Sequence, residues 1–488
     1  MTFQLLPDLP GALYNQLFES LRRAILEGLF RPSQQLPTSR ELSQQLSLSR
    51  NTVLTALDML KAEGYIESVA GSGLYVCSQL PETEVTRLTP NQPSFKTSPI
   101  SLSKRGSILA NPSRAIPTLQ TTSFVPGLPD LEHFPFKRWS QCVHSASQNT
   151  QNDVLRYSDQ GGLTTLKQSL ARYLTMSRGV RCDEEQLIVL GGSQAALDLT
   201  TRLLLDINDT VAIENPGYLG AREAFLGANA KVIGIDIDAE GLQVDQLAKK
   251  IASNRSPIKL LYTTPSNQFP LGTTLSLPRR MALLELAEKE NFFILEDDYD
   301  SEFRYHQRPI NSLQGLDAHQ RVIYMGTFSK VLFPGLRLGY LVVPPHLKSA
   351  FAQALRKTGQ DASLTMQTAV ALFMQRGYFD SHIRRMRKLY GEKQALFSRL
   401  VKENMTDWLE VVESGAGMQS TCFYKQAINR EKLQRLAKEK SLILPPLERM
   451  YLSKRKREGL YLGYAGIPIA DIPKQLAKLQ SILSKSMY

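Results

Sequence analysis

The chain has 488 residues, of which 42% are hydrophobic and 21% charged, the usual balance of a globular protein that buries a core. No apolar run approaches the roughly 18 residues that predict a membrane span, and the amino terminus lacks the basic region of a secretory signal. The four cysteines form no C-x-x-C pair, which predicts free thiols and neither disulfides nor a zinc site, so we expect a cytoplasmic protein without a metal.

The formal net charge of +12 would suit a nucleic-acid partner, but its distribution along the chain does not establish one. Residues 1–78 hold six Lys/Arg and seven Asp/Glu, a net charge of −1, so the positive excess lies in the remaining chain. The basic runs at 384–388 and 454–457 are more simply interpreted as solvated surfaces than as a DNA-contacting face. DNA binding therefore has to be argued from local sequence patterns.

The first predicted elements are two helices. Apolar residues recur at helical spacing from Leu13 to Ile25, and Gly28 ends the run. Thr38 and Glu41 have the spacing of a capping box, which predicts the start of a second helix.

A third helix is predicted to begin after Ser49, which can cap it, and to continue to about Lys61. Its inward face is apolar: Val53, Ala56, Leu57 and Leu60. The polar segment 50–52 falls in the first turn, where a recognition helix meets base edges and phosphates. Alternating apolar residues at 65–69 and 74–76, around a glycine-containing turn, predict a β-hairpin, and the three helices with this hairpin make a winged helix.

This stretch closely resembles the GntR-type winged-helix domain over roughly residues 10–78. Three motifs carry the resemblance: Leu-Pro-Thr-Ser-Arg-Glu-Leu, Ser-Arg-Asn-Thr-Val, and the Gly-Ser-Gly of the hairpin turn. The resemblance implies double-stranded operator DNA as a partner and assigns the contacts to Arg40, Ser49, Arg50, Asn51 and Thr52, and to Gly71 and Gly73 at the hairpin tip. The alternative is a winged helix that makes only protein contacts.

The next segment, from about Gln79 to Thr122, is rich in Pro, Ser, Thr and Lys, which predicts a semi-extended, poorly ordered tether. The sequence thus divides into a winged helix at 1–78, a linker at 79–122 and a large domain at 123–488.

The large domain is predicted to be α/β with a mainly parallel sheet, because apolar strand-like runs alternate with helical stretches from Val125 onward. Strands are predicted at 186–190, 210–213, 231–235, 260–263, 292–295, 321–325 and 337–343. In such a sheet, functional residues lie at strand ends and in the loops that follow.

Three charged residues and a glycine turn lie at such positions. The turn Gly191-Gly192-Ser193 opens a helix whose free amides suit a phosphate, and Asp297 follows a buried strand, where a carboxylate needs a cationic partner. Lys330 lies between hydroxyl residues, with Arg337 seven positions later. These are the parts needed to hold pyridoxal phosphate (PLP): the lysine forms an imine, the acid pairs with the pyridinium nitrogen and the arginine neutralises the phosphate.

These residues resemble those of the fold type I PLP-dependent enzymes, the aspartate aminotransferase class, over roughly residues 120–488. By this resemblance Lys330 is the imine lysine and Asp297 the pyridinium partner, while Tyr299 contacts the phenolic oxygen and Tyr218 stacks on the ring. It assigns the phosphate to Gly192, Ser193, Gln194, Thr327, Ser329 and Arg337.

Two further motifs extend the resemblance. Tyr157 matches the tyrosine that reaches the phosphate of the neighbouring subunit, which implies a homodimer. Residues 264–272 replace a shorter N-P-x-N-P-x-G loop and make Asn267 a candidate cofactor contact. That longer loop, with Glu-Asp-Asp-Tyr-Asp at 296–300, is typical of MocR-type regulators, in which a GntR head is fused to an aminotransferase-like body. The whole chain matches this layout.

Two positions depart from the related patterns. Aminotransferases carry an arginine near the carboxyl end that clamps the substrate α-carboxylate, and segment 459–466 has none. Gly220 stands where a regulator that senses γ-aminobutyrate has an arginine, and Arg222 or Arg449 could substitute. We expect a PLP-dependent transcription regulator whose effector is PLP or a small amino compound. The alternatives are an active aminotransferase with an accessory DNA-binding head and a scaffold that has lost the cofactor.

Overall fold

The computed structural model describes residues 3, 11–80, 102–110, 124–148, 161–254, 256–305, 310–452 and 457–486. The chain divides into two compact units, Met1–Ser101 and Leu102–Tyr488. This division falls within the segment that the sequence predicts as a tether, and the domain bounds given above stay a prediction. Among the described residues, no helix is long and apolar enough to cross a membrane.

The first unit contains three helices and a hairpin: α1 Leu13–Leu26, α2 Ser39–Leu46, α3 Arg50–Ala62, β1 Ile66–Val69 and β2 Gly73–Val76. A capping box starts α2, since Thr38 Oγ1 accepts from the amide of Glu41 at 3.2 Å and the Glu41 carboxylate accepts from the amide of Thr38 at 2.7 Å. Ser49 caps α3 by accepting from the amide of Thr52 at 3.1 Å. β1 and β2 pair antiparallel, which confirms the predicted winged helix.

A short helix, α4 (Lys104–Leu109), lies within the predicted tether and was not expected from the sequence. Ser103 caps it, because its hydroxyl accepts from the amide of Gly106 at 2.9 Å. The neighbouring segments 81–101 and 111–123 lie outside the described residues, so the predicted extended character of the tether stays a prediction there.

The second unit is built on the helices α5 Phe136–Gln148, α6 Thr164–Arg178, α7 Ser193–Leu204, α8 Leu219–Gly227, α9 Val244–Ser253, α10 Leu277–Lys289, α11 Leu313–Leu316, α12 Phe328–Val331, α13 Lys348–Thr358, α14 Leu364–Gln375, α15 Tyr378–Asn404, α16 Arg430–Glu439 and α17 Ile472–Lys485. Its strands are β3 Leu187–Leu190, β4 Thr210–Asn215, β5 Lys231–Asp238, β6 Gly241–Leu242, β7 Ile258–Thr263, β8 Phe293–Asp298, β9 Val322–Thr327, β10 Gly339–Val342, β11 Leu409–Val411, β12 Gln419–Tyr424 and β13 Gly459–Gly463.

Eight of these strands form a mainly parallel sheet in the order β3-β10-β9-β8-β7-β4-β5-β6. Neighbours from β9 through β5 are parallel, whereas β10 is antiparallel to both of its neighbours and β6 is antiparallel to β5. Each of the seven predicted strands is present, which confirms the α/β prediction. A separate antiparallel sheet has the order β11-β12-β13.

The carboxyl ends of β8 and β9 place the candidate site. Asp297 lies opposite Met325 and Asp298 opposite Gly326, so the chain leaves both strands at the same edge of the sheet. Both strand ends are buried, since Asp297 and Asp298 are each 6% exposed and Thr327 is 8% exposed. The lysine and the acid, 33 positions apart in the sequence, therefore meet at one edge.

Candidate cofactor site and nucleic-acid interface

Lys330 lies on α12, the single helical turn that follows β9. Thr327 caps this turn, since its hydroxyl accepts from the amide of Ser329 at 3.2 Å. The Lys330 amine donates to the carbonyl of Gly127 at 2.8 Å. Burial lowers the pKa of this amine, and the carboxyls of Asp300 and Asp297 oppose the shift. A lysine with a lowered pKa is more readily available as a neutral nucleophile.

Asp297 at the end of β8 has one satisfied and one unsatisfied oxygen. Its Oδ2 accepts from the hydroxyl of Tyr262 at 2.6 Å, whereas the buried Oδ1 has no hydrogen-bond partner among the described residues. Burial raises the pKa of Asp297 to about 7, although the Tyr262 hydroxyl lowers it. A buried carboxylate oxygen without a donor calls for one from a ligand, and a pyridinium N–H is such a donor.

Asn267 connects two side chains that follow Asp297. Its Nδ2 donates to Asp300 Oδ1 at 2.7 Å and to Tyr299 Oη at 3.3 Å, so it fixes both groups. Its own Oδ1 is buried without a partner among the described residues. Burial raises the pKa of Asp300 to about 7. The structure shows Asn267 in contact with Tyr299, which lines the cavity, and its predicted contact with the cofactor stays a prediction.

The Tyr218 ring lies at the entrance to α8, where its backbone caps the helix. It is offset-stacked on Tyr262 at 6.4 Å and 27°, and it meets Phe269 edge-on at 5.4 Å and 76°. Gln194 Nε2 donates to the Tyr218 hydroxyl at 3.3 Å. These contacts hold an aromatic face beside Asp297, in the place where a flat heterocycle could stack.

The residues predicted to bind the phosphate lie around the start of α7. Gly192, with φ of 99°, is the cap residue, and a Cβ on Gly339 would come within 3.0 Å of its Cα, so the two backbones are in close approach. The backbone carbon of Arg337 lies 4.0 Å from where a Cβ of Gly192 would stand. The Arg337 side chain is exposed and has no hydrogen-bonded or ionic partner among the described residues.

A cavity of about 990 Å³ joins these groups. Seven of the sequence-predicted residues line it: Ser193, Tyr218, Asp297, Tyr299, Thr327, Ser329 and Lys330. Gly192, Gln194, Asn267 and Arg337 are adjacent to it and not part of its lining. The unsatisfied oxygen of Asp297 and the amine of Lys330 open onto the same cavity, so the residues present fit PLP.

The remaining candidate residues are a tyrosine predicted to contact the neighbouring subunit and two arginines that could bind an effector. Tyr157 lies outside the described residues, so its predicted contact with a neighbouring subunit stays a prediction. Arg449 lines the cavity, whereas Arg222 does not and donates to the carbonyl of Tyr451 at 3.3 Å. The sequence reasoning missed Gly127 and Tyr262, and gave no role to Asp300 although it quoted the motif that contains it.

The candidate DNA-contacting residues are grouped on the first unit. Ser49, Arg50 and Asn51 are exposed at the start of α3, and Arg40 is exposed on α2. Thr52 is half-buried and lies 2.8 Å from Ser49 through their hydroxyls. The start of α3 therefore presents a compact polar surface of the kind that enters a major groove.

The hairpin tip presents two glycines. Gly71 and Gly73 are exposed and have φ of 76° and 119°. A Cβ on Gly73 would come within 2.9 Å of Gln35 Nε2, whereas a Cβ on Gly71 would meet nothing within 4 Å. The backbone conformation at both positions therefore favours glycine, and their predicted approach to DNA stays a prediction.

Two family models match the chain. The bacterial regulatory proteins of the gntR family match residues 13–76, and aminotransferase class I and II matches residues 128–473. The probable rhizopine catabolism regulatory protein MocR of Rhizobium meliloti is 39% identical over 97% of this chain and 94% of its own length. The HTH-type transcriptional regulator TauR of Rhodobacter capsulatus is 32% identical over 99% of both chains. The HTH-type pyridoxine biosynthesis regulator PdxR of Corynebacterium glutamicum is 31% identical over 80% of this chain and 79% of its own.

Solved structures resemble most of the chain. The kynurenine aminotransferase of Pyrococcus horikoshii superposes with a TM-score of 0.70 at 28% identity, covering 83% of this chain and 98% of its own. An archaeal alanine:glyoxylate aminotransferase gives a TM-score of 0.71 at 27% identity, over 79% and 96% of the two chains. This likeness, with the aminotransferase class I and II match, implies pyridoxal 5′-phosphate as the cofactor of the fold.

Proposed function

The chain belongs to the MocR-type subfamily of GntR transcription regulators, and from this membership we propose that it is a PLP-dependent, DNA-binding transcription regulator. One observation carries the proposal: the same chain holds a polar recognition turn at the start of α3 and a cavity that joins Lys330 to the unsatisfied oxygen of Asp297. A regulator needs both a surface for DNA and a site for a signal. We also propose a cytoplasmic location, where such a protein meets DNA.

When bound, PLP would supply an aldehyde carbon, which condenses with a primary amine with loss of water. Lys330 would supply that amine, and its lowered pKa favours the neutral form that is nucleophilic. The same amine donates a hydrogen bond to the Gly127 carbonyl, and it would have to give up this bond to reach a ligand.

The remaining residues orient the cofactor. Asp297 would accept a hydrogen bond from the ring nitrogen, and the Tyr262 hydroxyl keeps this carboxylate oriented. Tyr299 would contact the phenolic oxygen, and Tyr218 would stack on the face of the ring; both line the cavity. The phosphate would be held by backbone amides at the start of α7, by side-chain hydroxyls and by an exposed arginine: Gly192, Ser193, Gln194, Thr327, Ser329 and Arg337.

The signal is PLP itself or a small amino compound that competes with Lys330 for the cofactor. A ligand shifts a protein between two states only if it contacts them differently, and exchange of the Lys330 amine for a free amine provides such a difference. We propose a homodimer, supported by the resemblance at Tyr157, so that two winged helices bind two half-sites of one operator. The effector alters the geometry of the dimer and thereby its fit to the operator.

Substitution of Lys330 by Ala tests the proposed signal chemistry. The purified Lys330→Ala protein is expected to fold and to bind operator DNA, to lack the visible absorption band of lysine-bound cofactor, and to give no change in DNA affinity when an effector amine is added. Lys289→Ala, which removes an exposed lysine of α10, serves as the matched control and retains the band and the response. An effector response that survives unchanged in Lys330→Ala contradicts the proposal.

The second candidate function, a working aminotransferase, is favoured by the likeness of the second unit to aminotransferases. It predicts steady conversion of an amino acid and a keto acid by the purified protein. The cavity-facing residue of β13 is a tyrosine where a substrate carboxylate would require a cation, which disfavours this alternative.

A further inference from the structure

One side chain of β13 faces the cofactor cavity. Leu460 and Leu462 of this strand pack into the main core of the second unit. Tyr461, between them, belongs to a different apolar cluster and lines the cavity. Because side chains alternate along a strand, Tyr461 is the residue that this strand presents to a bound ligand.

The Tyr461 hydroxyl is buried, and its hydrogen bonding is incomplete. The side chain is 1% exposed, and its oxygen makes no hydrogen bond of good geometry among the described residues, although the Tyr299 hydroxyl lies near enough to interact with it. Its ring is fixed edge-on against Phe269 at 5.0 Å and 74°. A buried hydroxyl without a well-formed hydrogen bond is costly, and a ligand group that bonds to it recovers part of the cost.

The surroundings of this hydroxyl are neutral or acidic. Burial, Asp300 and Tyr464 raise the pKa of Tyr461 well above its usual range, and the Tyr299 hydroxyl opposes the shift. The hydroxyl is therefore neutral when a ligand arrives. It can donate or accept a hydrogen bond, but it carries no charge to balance a carboxylate.

The cations on the cavity lining lie elsewhere. Besides Lys330, the described lining residues include Arg430, Lys438 and Arg449, and all three are exposed. Arg430 is ion-paired with Glu448 at 3.5 Å and also with Glu458. Among the described residues that line the cavity, Lys330 is thus the one cation that is not exposed.

Building on the function proposed above, we propose that Tyr461 is the specificity-determining residue of the effector site. The effector is a primary amine whose adjacent carbon carries a neutral hydrogen-bonding group, such as a hydroxymethyl, in place of a carboxylate. A hydroxyl at that position satisfies the Tyr461 hydroxyl. A carboxylate there loses its water without gaining a counter-charge, which burial makes unfavourable.

Matched amines test this inference in the PLP-loaded protein. Phenylalaninol and phenylalanine, and leucinol and leucine, differ only in the group next to the amine. Each is titrated while the visible absorption band of lysine-bound cofactor is followed. The wild-type protein is expected to bind each amino alcohol at least about 10-fold more tightly than its amino acid, the ratio that one unsatisfied buried hydrogen-bonding group produces.

Two variants and a control locate the effect at Tyr461. In Tyr461→Phe the preference for the amino alcohol is expected to fall to within about 3-fold, since the hydroxyl is gone. In Tyr461→Arg the preference is expected to reverse towards the amino acid, because a cation now faces the carboxylate. Tyr451→Phe, which removes the hydroxyl of a nearby tyrosine outside the cavity lining, retains the wild-type preference.

The outcomes separate this inference from the function on which it rests. Equal or tighter binding of the amino acids to the wild-type protein overturns the inference and leaves the PLP-dependent function standing, as does an unchanged preference in Tyr461→Phe. A cofactor band that neither type of amine shifts also overturns it. Failure of the wild-type protein to form any band that depends on Lys330 refutes the proposed function, and the inference with it.

Discussion

Replacing Asp297 by Asn is expected to stabilise the PLP-free protein at alkaline pH while weakening its hold on the cofactor. The carboxyl of Asp297 has a pKa of about 7 in the folded protein, against about 3.9 in an unfolded chain. The folded state therefore binds the proton more tightly, and the free energy of unfolding falls as the pH rises from about 4 to about 7. About three pKa units correspond to a loss of about 4 kcal/mol that is complete above pH 7.

The asparagine removes this charge but does not restore every contact. In the wild-type protein the Tyr262 hydroxyl donates to Asp297 at 2.6 Å, and the amide oxygen of asparagine can still accept this hydrogen bond. The NH₂ group of asparagine, however, takes the place of the unsatisfied Oδ1 and lacks an acceptor. An unsatisfied buried donor costs about 1–3 kcal/mol. We therefore expect the free energy of unfolding of Asp297→Asn to exceed that of the wild type by about 2 kcal/mol at pH 8. At pH 5, where wild-type Asp297 is largely protonated, the two proteins are expected to be almost equally stable.

Tryptophan fluorescence provides a selective assay. The chain has two tryptophans, Trp139 and Trp408, and both lie in the second unit, so urea unfolding followed by fluorescence reports that unit alone. PLP-free wild-type protein, Asp297→Asn and the exposed control Asp245→Asn are compared at pH 5 and pH 8. The stability difference between the Asp245→Asn control and the wild type is expected to be the same at pH 5 and pH 8.

Two results would refute the reasoning about Asp297. A variant that is less stable than the wild type at pH 8 would mean that the buried charge is balanced by contacts other than those described. A stability difference that is the same at pH 5 and pH 8 would mean that Asp297 does not titrate between them. The same variant is expected to bind PLP about 10- to 100-fold more weakly, because a charge-assisted hydrogen bond to the ring is lost.

Two further substitutions test burial and DNA contact. Lys393 is fully buried and donates to Asp130 at 2.6 Å, so Lys393→Met is expected to cost about 3–5 kcal/mol in the fluorescence assay. Lys402 forms an exposed ion pair with Glu413, so Lys402→Met is expected to lower the free energy of unfolding by under about 1 kcal/mol. Equal losses of stability in the two variants would contradict the role of burial. Arg50→Ala is expected to weaken operator binding and to reduce the slope of log affinity against log salt by about 1. Arg23→Ala on α1 should leave the slope unchanged. If both variants lose operator affinity to the same extent, the phosphate contact does not belong to Arg50.

The sequence predicted best where the determining contacts are local. The capping box of Thr38 with Glu41 and the cap of Ser49 each span three residues, so the signal and the structure lie in the same short segment. The seven strands could also be predicted from the sequence, because continuous apolar runs of strand length determine them. Their bounds shifted by a few residues at most, as at β8, which continues to Asp298.

The individual hydrogen bonds between distant residues could not be predicted. Gly127 precedes Lys330 by 203 positions, and nothing in either segment indicates that its carbonyl accepts from the lysine. Tyr262 reaches Asp297 only because β7 and β8 are neighbours in the sheet. The absence of an arginine on β13 was visible in the sequence, but that Tyr461 takes its place required knowing which face of the strand meets the cavity.

Side-chain direction explains the remaining differences within the site. The sequence could not show that the Asn267 amide also donates to Asp300 and Tyr299, and its predicted contact with the cofactor stays a prediction. The backbone of Arg337 lies near Gly192, as the family resemblance implied, but its side chain is exposed and its role with the phosphate stays a prediction. A motif places a backbone near a site, whereas packing decides which atoms face it.

The central claim is tested most directly by binding of the purified, PLP-loaded protein to labelled DNA from upstream of its own and neighbouring genes, with excess competitor DNA present. The proposed function predicts saturable, sequence-specific binding whose affinity changes when PLP or an amine is added. Absence of specific binding to every such fragment would contradict it and would favour the aminotransferase alternative.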